Sequence, residues 1–312
     1  MAGSWSARFS FDDILGSSDA VQRAIRLARR AAAAAYPTIL VGESGTGKEL
    51  FAQAIHNASP RRDGPFVAIN CGTLCGDLAV AEMCGYEPGS FTGADRRVHD
   101  GLLDAARSGT LFLDELQDMP ATPQSVLLRF LETGDFVRVG GTHPVHSNVS
   151  VIAASNVPVE QLELNERVRS DLLYRLNCFV IQIPPLRERR EDLRPIAEKC
   201  LREELHFLGE VDEGAWAALT ECPYSWPGNA RGLRNVLLRA ILGSSQDRIT
   251  VGDLPPELWD KPANVRGKTE PRQSDHHTQG IKAVLDATNN NVSETARRLG
   301  IHRSTIYRRL AR

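Results

Sequence analysis

The sequence has no long apolar run. Nothing in its 312 residues approaches the ~18 uninterrupted apolar positions of a membrane span, and the longest small-apolar stretch, Ala31–Ala35, is five alanines behind Arg29 and Arg30. The opening Met-Ala-Gly-Ser-Trp-Ser-Ala-Arg lacks the apolar centre of a signal peptide. These absences argue against a membrane protein and against secretion, so a cytoplasmic location is expected. Six cysteines are too few for a disulfide scaffold in a chain of this length. Cys71, Cys75 and Cys84 lie close together without a paired C-x-x-C pattern. They read as small buried hydrophobes. His276-His277 sits in a polar stretch and reads as a solvated dipeptide rather than a metal site. Net charge is also scarce, at −2.

That near-neutral total hides an asymmetry. Residues 261–312 carry 11 Lys+Arg against 4 Asp+Glu, a net of +7, so the remainder carries −9. A basic end on an acidic body points to a polyanion partner for the tail alone. The chain is long enough for two domains and an appendage. Short apolar runs at 37–41, 66–69, 111–113, 149–153 and 179–183 alternate with helix-like stretches such as 48–57 and 123–132. This alternation predicts an α/β fold with a mainly parallel sheet. From Glu191 to Leu258 the pattern is helical, with no strand-like run of note. Lys261–Gln279 holds no Leu, Ile or Phe and reads as a linker.

Between the first strand and its helix lies Gly42-Glu43-Ser44-Gly45-Thr46-Gly47-Lys48, the G-x-x-x-x-G-K phosphate loop. Its glycines let successive N–H groups curl toward phosphate oxygens, the helix N-terminus adds its positive end, and Lys48 adds a point charge. Glu49 replaces the Ser or Thr whose hydroxyl would bind magnesium. Thr110–Glu115 is a buried strand ending in two acids. Asp114 is placed to hold Mg²⁺ directly or through water, and Glu115 to act as general base on the attacking water. ATP and Mg²⁺ are the expected ligands, and ATP hydrolysis the expected activity.

These motifs resemble the bacterial enhancer-binding proteins, the AAA+ activators of sigma-54. The likeness runs from about Phe11 to Arg312. It includes the Glu after the phosphate-loop Lys, Gly89-Ser90-Phe91-Thr92-Gly93-Ala94 in place of the family's GAFTGA loop, Asp171–Asn177 and Trp226–Arg231. The resemblance implies an AAA+ P-loop ATPase with a parallel sheet, a helical lid and a small all-α helix-turn-helix domain. The expected boundaries are 1–185, 186–258, 259–279 for the linker and 280–312. By the same resemblance, Asn70 matches the switch residue acting on Glu115, Asn156 the first sensor and Arg231 the second. Arg169 and Arg175 match two candidate arginine fingers, and Ile14, Leu15 and Gly16 lie where the family packs adenine. On an ideal helix the two arginines point ~120° apart, so one is expected to touch phosphate and the other to hold an interface. Gly89–Ala94 would contact sigma-54, with Phe91 and Thr92 at an exposed tip or, alternatively, Phe91 folded back into the core. Ser90, Gly232 and Met83-Cys84 depart from the family pattern.

The tail resembles the family's Fis-type DNA-binding end. Asn291–Ala296 and Leu299–Tyr307 make a helix, a Gly-containing turn and an Arg-rich helix. Arg303, Ser304 and Thr305 are expected at base edges, and Arg308, Arg309 and Arg312 at phosphates. The implied partners are sigma-54 RNA polymerase, enhancer DNA and further copies of the chain, from dimer to hexamer ring. The ATPase pattern begins near residue 11, so a short form without an N-terminal regulatory domain is expected: either control comes in trans, from a regulatory protein, a paralogous subunit or expression level, or the chain is a shortened form. A nucleoid-associated location follows. Two other readings fit the residues: a nucleotide-regulated DNA-binding repressor, and an AAA+ remodeller of another target.

Overall fold

The computed structural model describes residues 6–91, 97–244 and 247–259. All belong to the first of two units into which the chain divides, Met1–Lys261. The expected linker, the DNA-contacting residues Arg303, Ser304, Thr305, Arg308, Arg309 and Arg312, and Thr92, Gly93 and Ala94 lie outside the described residues.

Helix α1 (Asp19–Ala34) starts where Ser18 caps it, accepting from the Val21 amide. Val21, Ala24, Ile25, Ala28, Ala31 and Ala32 form its buried face, at helical spacing. Strand β1 (Thr38–Val41) is buried throughout and feeds the phosphate loop and α2 (Lys48–Asn57). There follow β2 (Phe66–Asn70), α3 (Ala79–Cys84), α4 (Leu102–Ala105), β3 (Thr110–Asp114) and α5 (Ala121–Thr133). Next come a hairpin of β4 (Asp135–Val137) and β5 (Pro144–His146), then β6 (Ser150–Ser155), α6 (Val159–Leu164), α7 (Ser170–Leu176) and β7 (Phe179–Gln182).

The main sheet has five parallel strands in the order β2-β3-β6-β1-β7. Side chains alternate across a strand, so neighbours in sequence enter opposite cores. Leu40, Phe112 and Ile152 face α1 and α2, with Phe51 and Ile25. Ile39, Leu111, Leu113 and Val151 face the other way, with Leu103, Leu127 and Leu172. Covering both faces is what makes such strands read as unbroken apolar runs. The C-terminal ends of β1, β2, β3 and β6 therefore share one edge, which carries the phosphate loop, Asn70, Asp114 and Asn156.

The helical remainder holds α8 (Leu193–Lys199), a π-helical turn at Cys200–Glu204, β8 (Glu210–Val211), α9 (Glu213–Glu221), α10 (Asn229–Gly243) and β9 (Arg248–Ile249). Asp212 caps α9 by accepting from the Ala215 amide at 2.6 Å. A third core gathers Trp216, Trp226, Leu233 and Leu237. The expectation of no strand in this stretch needs one correction: β8 and β9 pair in parallel. Two residues are too few to display a period.

Candidate functional site

Three elements converge on the phosphate loop. Gly47, at φ 101°, ends the loop and starts α2. Lys48 follows at once, and its Nζ donates to the carbonyls of Gly42 (2.7 Å) and Glu43 (3.2 Å). Burial holds the Lys48 amine below its ordinary pKa, with the charges of Asp114 and Glu115 opposing that shift. Thr46 is buried, and its hydroxyl donates to the Glu43 carbonyl at 2.8 Å. Glu49 is exposed and takes a hydrogen bond from Gln53 (3.1 Å).

Strand β3 supplies the acids. Asn70 and Asp114 stand opposite each other at the ends of β2 and β3. Burial pushes the Asp114 carboxyl up, against a bond from the Glu115 amide (3.0 Å) and the pull of Lys48. Glu115 holds a left-handed backbone at φ 55°, a strained conformation for a residue with a Cβ. Its carboxylate accepts from Asn70 Nδ2 at 2.7 Å, while Asn70 Oδ1 accepts from the Gly72 amide. Arg231, near the start of α10, donates to Ser44 Oγ at 3.0 Å. Lys48, Asp114, Glu115, Asn156 and Arg231 all line one cavity of about 330 Å³, as do Ser44, Gly45, Gly47 and Glu49.

A second cavity of about 420 Å³ adjoins it, sharing Phe9, Gly47 and Leu50. Ile14, Leu15, Phe51 and Ile196 give it apolar walls. Gly16 is not among them. A Cβ there would lie 2.6 Å from Val21 Cγ1 and 2.7 Å from Asp192 Oδ2. Gly16 is needed for the turn into α1, not for the cavity.

Four residues at this site escaped the sequence reading. Arg187 grips Glu43 with both nitrogens, at 2.7 and 2.8 Å. Arg189 Nη2 donates to the Thr46 carbonyl at 3.1 Å, and burial lowers its pKa. Asp192 accepts from the Ser17 and Ser18 amides at 2.7 and 3.0 Å. Asn229 Nδ2 donates to the Ser44 carbonyl (3.0 Å) and to Glu43 (3.3 Å), while its Oδ1 accepts from the Leu186 amide (2.8 Å). Leu186–Asp192 carries no local motif. Yet Arg189 is 3% exposed and Asp192 fully buried, because their partners come from distant sequence.

The remaining expected residues stand apart from this cluster. Arg169 is occupied by Asp171 (2.8 and 3.0 Å) and Ser125 (3.3 Å). Arg175 lies 3.5 Å from Glu132. Both are exposed and neither lines the cavity of its own chain. Phe91 is half-buried, edge-on to Tyr86 at 5.0 Å, and Tyr86 stacks on His99 at 4.9 Å. It is therefore neither a free tip nor a core residue. A Cβ on Gly89, at φ 74°, would meet nothing within 4 Å among the described residues. The Ser90 hydroxyl is enclosed against Gly140, with no hydrogen-bond partner among the described residues.

Models of three families match successive stretches of the chain. "Sigma-54 interaction domain" covers residues 14–182, "AAA+ ATPase lid domain" 187–271, and "Bacterial regulatory protein, Fis family" 279–312. The acetoin dehydrogenase operon transcriptional activator AcoR of Bacillus subtilis is 37% identical over 97% of this chain and 51% of its own. The DNA-binding transcriptional regulator NtrC of Escherichia coli K12 is 40% identical over 84% of this chain and 56% of its own. The chain thus spans about half the length of the first curated relatives it matches. Among solved structures, NtrX from Brucella abortus in complex with ATP superposes with a TM-score of 0.69 at 31% identity, covering 96% of this chain and 68% of that one.

Proposed function

The chain belongs to the family of sigma-54-dependent transcriptional activators, and from that premise we propose that it is an ATP-hydrolysing ring that remodels sigma-54 RNA polymerase while bound to enhancer DNA. We take residues 1–185 as the ATPase core, 186–258 as its lid, 259–279 as a linker and 280–312 as the DNA-binding module. The single observation that carries this reading is the convergence of Lys48, Asp114, Glu115 and Arg231 on one cavity, with Asn70 holding Glu115. A chain that bound nucleotide only as a structural ligand would not need a restrained carboxylate there.

The residues present fit a nucleotide and its metal. The loop amides at the α2 N-terminus suit phosphate, and the apolar walls of the adjoining cavity suit a base. Asp114 is a half-buried carboxylate on the wall of the cavity that Lys48 and Glu115 also line. Magnesium is commonly held by one or two carboxylates together with phosphates, and when bound it would offset phosphate charge. Lys48 and Arg231 would orient the phosphates. Glu115 would accept a proton from the attacking water, and Asn70 would govern when its carboxylate is free to do so. Of Arg169 and Arg175, both off the cavity of their own chain, one would reach the phosphate of a neighbouring copy and the other would hold the interface. Gly89–Ala94 would meet sigma-54, and Arg303–Thr305 with Arg308, Arg309 and Arg312 would meet DNA.

The test is RNA synthesis from a sigma-54 promoter with purified protein, sigma-54 polymerase and ATP. Transcript is expected with ATP and not with a non-hydrolysable analogue. Steady ATP turnover without transcript would overturn the polymerase assignment, and no turnover would overturn the ATPase.

A further inference from the structure

The contacts between the phosphate loop and the helical region leave one ion pair without a role in the chemistry above. Glu43 and Arg187 form a two-bond carboxylate–guanidinium pair, at 2.7 and 2.8 Å. Both side chains are 39% exposed, and pairs so open to water add little to stability. What distinguishes this pair is its location. Arg187 lies immediately after the core's last strand and its Pro184-Pro185, where the chain turns into the helical region. Glu43 is the second residue of the phosphate loop.

Asn229 extends the pair to α10. Its amide nitrogen touches Glu43 (3.3 Å) and the Ser44 carbonyl (3.0 Å), and its amide oxygen takes the Leu186 amide (2.8 Å). Asn229 is fully buried, with a left-handed backbone at φ 49°. Asn is one of the few residues other than Gly that take up this conformation readily. Arg231 follows two residues later. Close packing reinforces the arrangement: the Ala230 amide donates to the Gly45 carbonyl at 3.0 Å, and a Cβ on Gly45 would strike the Gly228 carbonyl. The start of α10 is thereby registered against the loop that would hold phosphate.

We propose that Glu43, Arg187 and Asn229 form a positioning latch that sets where Arg231 stands relative to the phosphates. The two-bond geometry fixes direction as well as distance, and misplacement of a phosphate-contacting group by about 1 Å can cost on the order of a hundredfold in rate. The latch acts through Arg231, so it is not itself catalytic. It rests on the ATPase reading for its purpose, but not for its geometry.

The test is a double-mutant cycle on the full chain, with ATP affinity by calorimetry and turnover by phosphate release. Arg187→Gln is expected to lower turnover by about tenfold or more, with the unfolding temperature nearly unchanged. Arg187→Lys, which keeps the charge, is expected to recover much of that loss. In an Arg231→Ala background, Arg187→Gln is expected to add no further loss in affinity or turnover, because the residue it positions is gone. Losses that multiply in that background would overturn the latch, as would an Arg187→Lys protein no better than Arg187→Gln. If the unmutated chain binds ATP without hydrolysing it, the ATPase reading falls, and the affinity cycle still decides the latch.

Discussion

Glu115 owes its backbone conformation to the turn after β3 and its side-chain position to Asn70. Glu115→Gln changes its charge and proton affinity while leaving its size. ATP binding is expected to persist, with hydrolysis falling about 10²–10⁴-fold, the usual contribution of a general base. Calorimetry and phosphate release check the two halves separately, and retained hydrolysis would remove Glu115 from that role. Gly232 departs from the family pattern in the opposite way, as a residue with no conformational need. It sits inside α10, its φ is not positive, and a Cβ there would meet nothing within 4 Å among the described residues. Gly232→Ala is expected to stabilise the protein by about 0.5–1 kcal/mol, seen as a higher denaturation midpoint in urea. A lower midpoint would mean that the helix needs the freedom of glycine there. Gly45 and Gly16 differ from it, because close neighbours fill the space a Cβ would take.

At the scale of elements, α2 docks on the sheet through a titratable contact. His56 is buried, its Nδ1 is 2.9 Å from Thr110 Oγ1, and its ring packs on Phe66 at 5.4 Å. Burial lowers its pKa. The unfolded chain therefore takes up this proton first, so the stability from His56 is present above its unfolded pKa of about 6.5 and is lost as pH falls below it. Urea unfolding at pH 7.5 and 5.5 is expected to show this slope, and His56→Asn to flatten it. An unchanged slope would assign the loss to other groups. The five main strands were legible because burial on both faces writes continuous apolar runs. Strands β4 and β5 were not, since three residues are too few to carry a period. The site divides the same way. Lys48, Asp114 and Glu115 lie in local patterns, whereas Arg189 and Asp192 look like surface charge until the fold brings Thr46, Ser17 and Ser18 against them. The half-buried place of Phe91 was not legible for a similar reason, because the ring beside it belongs to Tyr86.

For the whole molecule, the proposed function combined with the separation of Arg169 and Arg175 from their own cavity predicts an activity that depends on assembly. Turnover per chain is expected to rise with protein concentration. A mixture of two inactive proteins, Lys48→Ala and Arg169→Ala or Arg175→Ala, is expected to regain turnover for whichever arginine acts across copies. An arginine finger is worth about 10³–10⁵ in rate, so recovery would stand well above background. Failure with both arginines would return them to a role within the chain. The segment from Arg187 to Asp192 has a further consequence, in the currency of sequence length. Its contacts at Arg187, Arg189 and Asp192 reach two parts of the core, the first two at Glu43 and Thr46 of the phosphate loop and the last at the cap of α1. Their spacing is set by backbone alone, so the segment works as a ruler. A substitution removes one grip, whereas a single inserted or deleted residue would shift all three out of register together.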